Sequence, residues 1–86
     1  MYQVIYTAKA LKSLKKIDKT QAHLILNWIE KNLIGCADPR IKGKEIKGNL
    51  ADWRYRVGDY RLLCNISDEE ITIEVINVGH RKDIYK

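Results

Sequence analysis

Trp53-Arg54-Tyr55-Arg56-Val57-Gly58-Asp59-Tyr60-Arg61 holds two strand-like runs about a Gly-Asp turn, with arginine at alternate positions before the turn. Successive side chains of a strand point to opposite faces, so Trp53, Tyr55 and Val57 share one face while Arg54 and Arg56 share the other. The first face suits a core and the second suits an anion. Beyond the turn, Tyr60, Leu62, Cys64 and Ile66 continue the apolar face. Arg61, Leu63 and Asn65 fall on the opposite one, which brings a third arginine to the face of Arg54 and Arg56.

Downstream, Ser67 to Glu69 reads as a turn and Ile71 to Val78 as the most strongly β-forming run of the chain. Its apolar face switches from Ile71, Ile73 and Val75 to Ile76 and Val78. Either a bulge or a strand covered on both faces at one end produces that pattern, and the run is expected to lie centrally in the sheet. Gly79 ends it, and His80, Arg81 and Tyr85 gather in the short tail.

Upstream, Tyr2 to Tyr6 is long enough only for a strand, and Thr7 is placed to cap a helix. Ala10, Leu11, Leu14 and Ile17 then recur at helical spacing, with Lys9, Lys12, Lys15 and Lys16 on a solvated outer arc. Asp18 with Gln21 forms a variant capping box for a second helix. Its stripe is Ala22, Ile25, Leu26, Ile29 and Leu33, and Gly35 sits where a positive φ is wanted. Leu24 and Trp28 widen that stripe, as core edge or as a groove for a partner. Cys36 to Leu50 reads as a basic connecting loop with a short extended piece near Glu45 to Lys47. The expectation is a single α+β domain over residues 1–86, ordered β-α-α-β-β-β. In it, a helix hairpin packs on one face of a largely antiparallel sheet and the other face stays open.

Eighty-six residues support one thin core, burying about 60 to 65% of the unfolded surface. A formal charge of +5 favours a polyanionic partner, because neutralising phosphates releases counterions. The excess is concentrated: Arg40, Lys42, Lys44, Lys47, Arg54, Arg56 and Arg61 stand against Glu45, Asp52 and Asp59, giving that segment +4. Two isolated cysteines and the absence of a leader-like or membrane-length apolar run point to a reducing, cytoplasmic setting without membrane contact.

Cys36, Cys64, His23 and His80 lack the usual metal-ligand spacings, and no Gly-rich phosphate loop is present. Neither metal nor cofactor is expected. The remaining chemistry, that of arginine, lysine, tyrosine and one histidine, suits metal-free RNA cleavage, in which a 2′-hydroxyl attacks its own phosphate. Arginine meets phosphate oxygens bidentately, so the arginine face fits charge stabilisation. A phenol at Tyr85 needs neighbouring cations to ionise, whereas His80 titrates near neutrality without help. Each residue also has a plainer role: Arg54 and Arg56 paired with an acid such as Glu74, Tyr85 packing the chain end, His80 in a turn. On the residues alone, a nucleic-acid-binding module and a nuclease both stand.

Taken together, several of these stretches resemble the RelE-type toxins of the RelE/ParE toxin-antitoxin superfamily. They are Ala22, Ile25, Trp28 and Ile29 on the second helix; Lys47-Gly48-Asn49-Leu50; Trp53 to Arg61; and Val78-Gly79-His80-Arg81 with Tyr85. The resemblance implies a toxin that enters the ribosomal A site and cleaves mRNA by metal-free 2′-hydroxyl attack, held inactive by a cognate antitoxin. It assigns phosphate stabilisation to Arg61 and Arg81, a place in the catalytic site to Tyr85, and acid-base work to His80. Arg54 and Arg56 match basic positions that handle substrate, and Lys44 and Lys47 extend the RNA-binding set. Arginine at 54 and 56 replaces the lysine of some relatives, and it is a poor proton donor or acceptor. ParE-like proteins of the same superfamily, which poison DNA gyrase, are the alternative, with a non-catalytic RNA-binding module as a third reading.

Overall fold

The computed structural model describes residues 1–48 and 50–84. Strand β1 (Gln3–Tyr6) leads into helices α1 (Ala8–Lys16) and α2 (Lys19–Asn32), followed by β2 (Lys44–Glu45), β3 (Trp53–Val57), β4 (Tyr60–Ser67) and β5 (Thr72–His80). They form one five-stranded sheet in the order β1-β5-β4-β3-β2. Only the β1–β5 pair is parallel. This is the expected α+β order with one addition, the two-residue β2 on the outer edge of β3.

Local chemistry starts both helices. The Thr7 hydroxyl accepts from the Ala10 N–H at 3.1 Å and donates to the Ile76 carbonyl at 2.7 Å, so one side chain caps α1 and ties it to β5. The Asp18 carboxylate accepts from the Thr20 and Gln21 N–H groups at 3.1 and 3.4 Å, opening α2. Ala22, Ile25, Ile29 and Leu33 are buried. Leu26, expected in that stripe, is exposed, because α2 meets the sheet along a narrower line than its apolar arc. Gly35 takes φ +77° beyond the end of α2, and its N–H donates to the Tyr2 carbonyl at 2.8 Å.

The core lies between the helices and the sheet. Leu14, Ile25, Ile29, Tyr55, Leu62, Cys64, Ile73, Val75 and Val78 belong to one buried cluster. Tyr55 is fully buried at its centre and donates its hydroxyl to the Pro39 carbonyl. Burial pushes that phenol well above its usual range, so it stays protonated and remains a donor.

The switch of apolar face in β5 is a bulge. Leu63 pairs with Asn77 and Cys64 with Val75, which leaves Ile76 as the extra residue. Ile76 packs with Leu63 on the sheet face away from the helices, beneath Ala51, Ile84 and Ile46. That face, expected to be open, therefore carries a small apolar cover from the loop before β3 and from the C-terminal turn. Two apolar side chains on a solvent face require it. β5 is flanked by β1 and β4, as expected of an interior strand.

Candidate nucleic-acid interface and catalytic face

The alternation of β3 is as the sequence suggests: Tyr55 is buried against the helices while Arg56 is exposed on the other side. The ladder then sets cation against cation. Lys44 lies opposite Arg54 across β2–β3, and Arg56 opposite Arg61 across β3–β4. Like charges facing each other across a ladder work against its stability.

Neither Arg54 nor Arg56 forms an ion pair or side-chain hydrogen bond with a described residue. Glu74, the acid considered as their partner, pairs with Asn65 on β4 and Ile5 on β1, with β4 between it and β3. Arg40 leaves the cationic set: its guanidinium grips Asp68 at 2.9 and 3.2 Å, and the Tyr2 hydroxyl donates to the same carboxylate at 2.7 Å.

Arg61 differs from its neighbours in being only 6% exposed. Its Nη1 donates to the Tyr60 carbonyl at 3.2 Å and to the Gly58 carbonyl at 3.4 Å, bracing the hairpin turn from beneath. Across β4–β5 it lies opposite Gly79, over which Ile84 is packed.

The C-terminal turn brings Arg81 to the same end of the sheet. The Arg81 N–H donates to the Asp59 carbonyl at 2.8 Å, and the Asp83 and Ile84 N–H groups donate to the His80 carbonyl at 2.9 and 3.0 Å. The chain thus folds back over Gly79. Tyr85, the next residue, lies outside the described residues.

His80 stands apart from the arginines. It pairs with Tyr60 across β4–β5, and the two rings meet edge-on at 5.7 Å on the helix side of the sheet rim. Its Nδ1 accepts from the Lys82 N–H at 3.2 Å, which leaves the proton of the neutral ring on Nε2. Lys47 is exposed in the loop after β2 and does not line the groove at the sheet edge.

That groove, about 380 Å³ in volume, runs round the β2 edge between Trp28 of α2 and the side chains of Lys42, Lys44, Arg54 and Arg56. Gly43 makes it possible. At φ +84° its backbone lies so close to β3 that a Cβ there would collide with the Arg54 carbonyl and the Trp53 and Tyr55 rings. The Trp53 indole N–H holds the loop by donating to the Lys42 carbonyl at 2.9 Å. The sequence reads Trp28 as core edge or a partner groove and Lys42 only as part of the basic segment, neither as an RNA-binding residue. The signal for Lys42 was the Lys-Gly-Lys run, in which glycine permits a close backbone approach between two cations.

A family profile described as ParE toxin of the type II toxin-antitoxin system, parDE, matches residues 4–85. The toxin RelG of Mycobacterium tuberculosis is 33% identical over 86 residues, covering 99% of this chain and 97% of that protein. Among solved structures, the RelBE2 toxin-antitoxin complex of M. tuberculosis superposes with a TM-score of 0.82 at 30% identity, covering 93% of this chain and 98% of that one. The isolated RelE toxin of Escherichia coli gives 0.73 at 25% identity, covering 99% and 92%.

Proposed function

The chain belongs to the RelE/ParE superfamily of type II toxin-antitoxin toxins, as a RelE-type member, and on that premise we propose that it is a ribosome-dependent mRNA endonuclease acting in the A site. The observation that carries this reading is that Arg54 and Arg56 on β3 lie beside Arg61 on β4, at the end of the sheet where the Arg81 backbone is tied to the hairpin turn.

In the proposed reaction the substrate 2′-hydroxyl loses its proton and attacks the adjacent phosphorus. The 2′-oxygen–phosphorus bond forms, the bond to the 5′-oxygen breaks, and that oxygen is protonated, leaving a 2′,3′-cyclic phosphate and a 5′-hydroxyl. Negative charge accumulates on the equatorial oxygens of the phosphorane, where fixed cations act most strongly. Arg61, held in place by the turn carbonyls, and Arg81 take that role. Arg54, Arg56 and Lys44 position the RNA backbone, and Lys47 meets the strand farther along the loop. Proton transfer falls to Tyr85 and His80; His80 reaches the arginine face only around the strand end. The nucleophile belongs to the substrate and the charge is met by guanidinium groups, so no metal or cofactor enters.

The protein acts in the cytoplasm and is restrained by a cognate antitoxin that covers the basic face and the exposed Leu24 beside Trp28. The solved relatives in complex with antitoxins support this partner. A second reading, gyrase poisoning, is favoured by the ParE description of the matching family.

Mapping mRNA 5′ ends after the protein is added to translating ribosomes separates the two. New A-site ends that vanish with Arg61→Ala support cleavage. Trapped cleaved DNA in a gyrase supercoiling assay, unaffected by Arg61→Ala and without new mRNA ends, overturns it in favour of the second reading.

A further inference from the structure

We infer that the groove at the β2 edge is a nucleotide subsite of its own: it takes one base of single-stranded RNA against Trp28 and that nucleotide's phosphate on Lys42, Lys44 and Arg54. The inference rests on the RNA-cleavage reading for its substrate class, but concerns a nucleotide flanking the bond that is cut.

Three features carry it. Among the described residues the groove combines an aromatic wall with four cations and no acidic side chain, the pairing that single-stranded nucleic acid requires of a stacking platform beside a backbone track. It is also preformed. Gly43 is pressed onto β3, the Lys42 carbonyl is held by Trp53 and Lys44 pairs with Arg54 in the sheet, so both lysines are offered from a fixed backbone; Trp28 is steadied by its tilted contact with Tyr55 at 5.6 Å. Finally, it is continuous with the proposed cleavage face, because Arg54 and Arg56 line it and Arg56 is the ladder partner of Arg61. An RNA strand crossing Arg61 and Arg56 therefore continues into the groove. An acidic peptide would satisfy the cations but make no use of the aromatic wall.

The test uses the purified chain and a fluorescent 2′-O-methyl hexanucleotide, which lacks the attacking hydroxyl, with binding followed by anisotropy from about 50 to 200 mM salt. Trp28→Leu is expected to weaken binding by roughly 5- to 150-fold without changing the salt slope, the range that loss of one stacked base produces. Trp28→Phe keeps most of the affinity. Lys42→Ala with Lys44→Ala lowers the slope of log K against log salt by about 0.7, one single-strand phosphate contact's worth. The charge-matched pair Lys12→Ala and Lys15→Ala on α1 leaves the slope within about 0.3 of wild type.

No binding by wild type, an unchanged slope in the Lys42/Lys44 variant, an equal fall in the α1 control, or equal competition by poly-glutamate of the same charge would each overturn the subsite. If Trp28→Leu fails to fold, the lysine pair and Trp28→Phe decide. Groove-dependent binding without new mRNA ends on ribosomes refutes the cleavage reading alone. New ends together with groove-independent binding refute the subsite alone.

Discussion

Arg56 and Arg61 face each other across the β3–β4 ladder, one rung below the Val57–Tyr60 pair that closes the Gly58-Asp59 turn. One is exposed; the other is buried and braces the turn through two carbonyls. Two guanidinium groups share one rung, and no carboxylate is paired to Arg56 among the described residues.

The rung predicts a trade between stability and binding. Arg56→Gln removes a like-charge neighbour and should stabilise the fold by about 0.2–1 kcal/mol, read from the urea midpoint at constant slope. The same variant should lose affinity for the hexanucleotide. A lower midpoint would mean that Arg56 is engaged in stabilising contacts and that the rung is not electrostatically frustrated.

Gly43 should be intolerant of a side chain where Gly48 is not. Both have positive φ, but a Cβ at Gly43 meets the Arg54 carbonyl and the Trp53 and Tyr55 rings, whereas a Cβ at Gly48 meets nothing. Gly48→Ala should cost about 1 kcal/mol, the backbone penalty alone. Gly43→Ala should cost at least about 1–2 kcal/mol more, as seen in parallel urea titrations, and should displace Lys42 from the groove. Equal costs would show that the close approach does not contribute.

Acid should loosen the Tyr2–Asp68–Arg40 cluster. The bond from Arg40, then that from Tyr2, holds the Asp68 carboxyl below its usual range. A depressed native pKa means that this stabilisation is complete above the unfolded value of about 3.9. It disappears as the pH falls through the native value. The melting temperature of wild type should therefore drop more steeply below about pH 4 than that of Asp68→Asn, and the two should converge at the acid end. Because the pair is exposed, the difference at neutral pH should be small.

Ile71 offers a stabilising change. It adopts φ +50° in the β4–β5 turn, a conformation costly for a β-branched residue, and its side chain is largely exposed. Ile71→Asn should keep the backbone bond from the Gln3 N–H to the residue 71 carbonyl, at 3.0 Å in the native chain, while relieving the strain. A gain of about 0.5–1 kcal/mol is expected. A loss in thermal melting would show that the Ile71 side chain supports the fold by packing.

Much of this was written locally. The two-face reading of Trp53 to Arg61, the capping roles of Thr7 and Asp18, and the helix pair follow from periodicities of two and about 3.6 residues and from short polar side chains beside helix starts. They act within a few residues of themselves, and they emerge as read. The switch of faces in Ile71 to Val78 leaves a bulge and a doubly covered strand end both open, and the strand register decides for the bulge at Ile76.

Tertiary structure decided the rest, because it depended on which strands lie side by side. Alternation put Arg61 on the arginine face, but the ladder set it opposite Arg56, where its guanidinium donates to the turn carbonyls. Arg40 was taken out of the cationic face by Asp68, 28 residues away, while His80 was put on the helix side of the rim by its strand register. The groove joins Trp28 of α2 to a loop and to β3, a meeting encoded in no single segment. Which face each side chain takes within its own element is set by backbone geometry and is legible from the order of residues. Which faces meet, and therefore where the cations converge, was left to long-range packing.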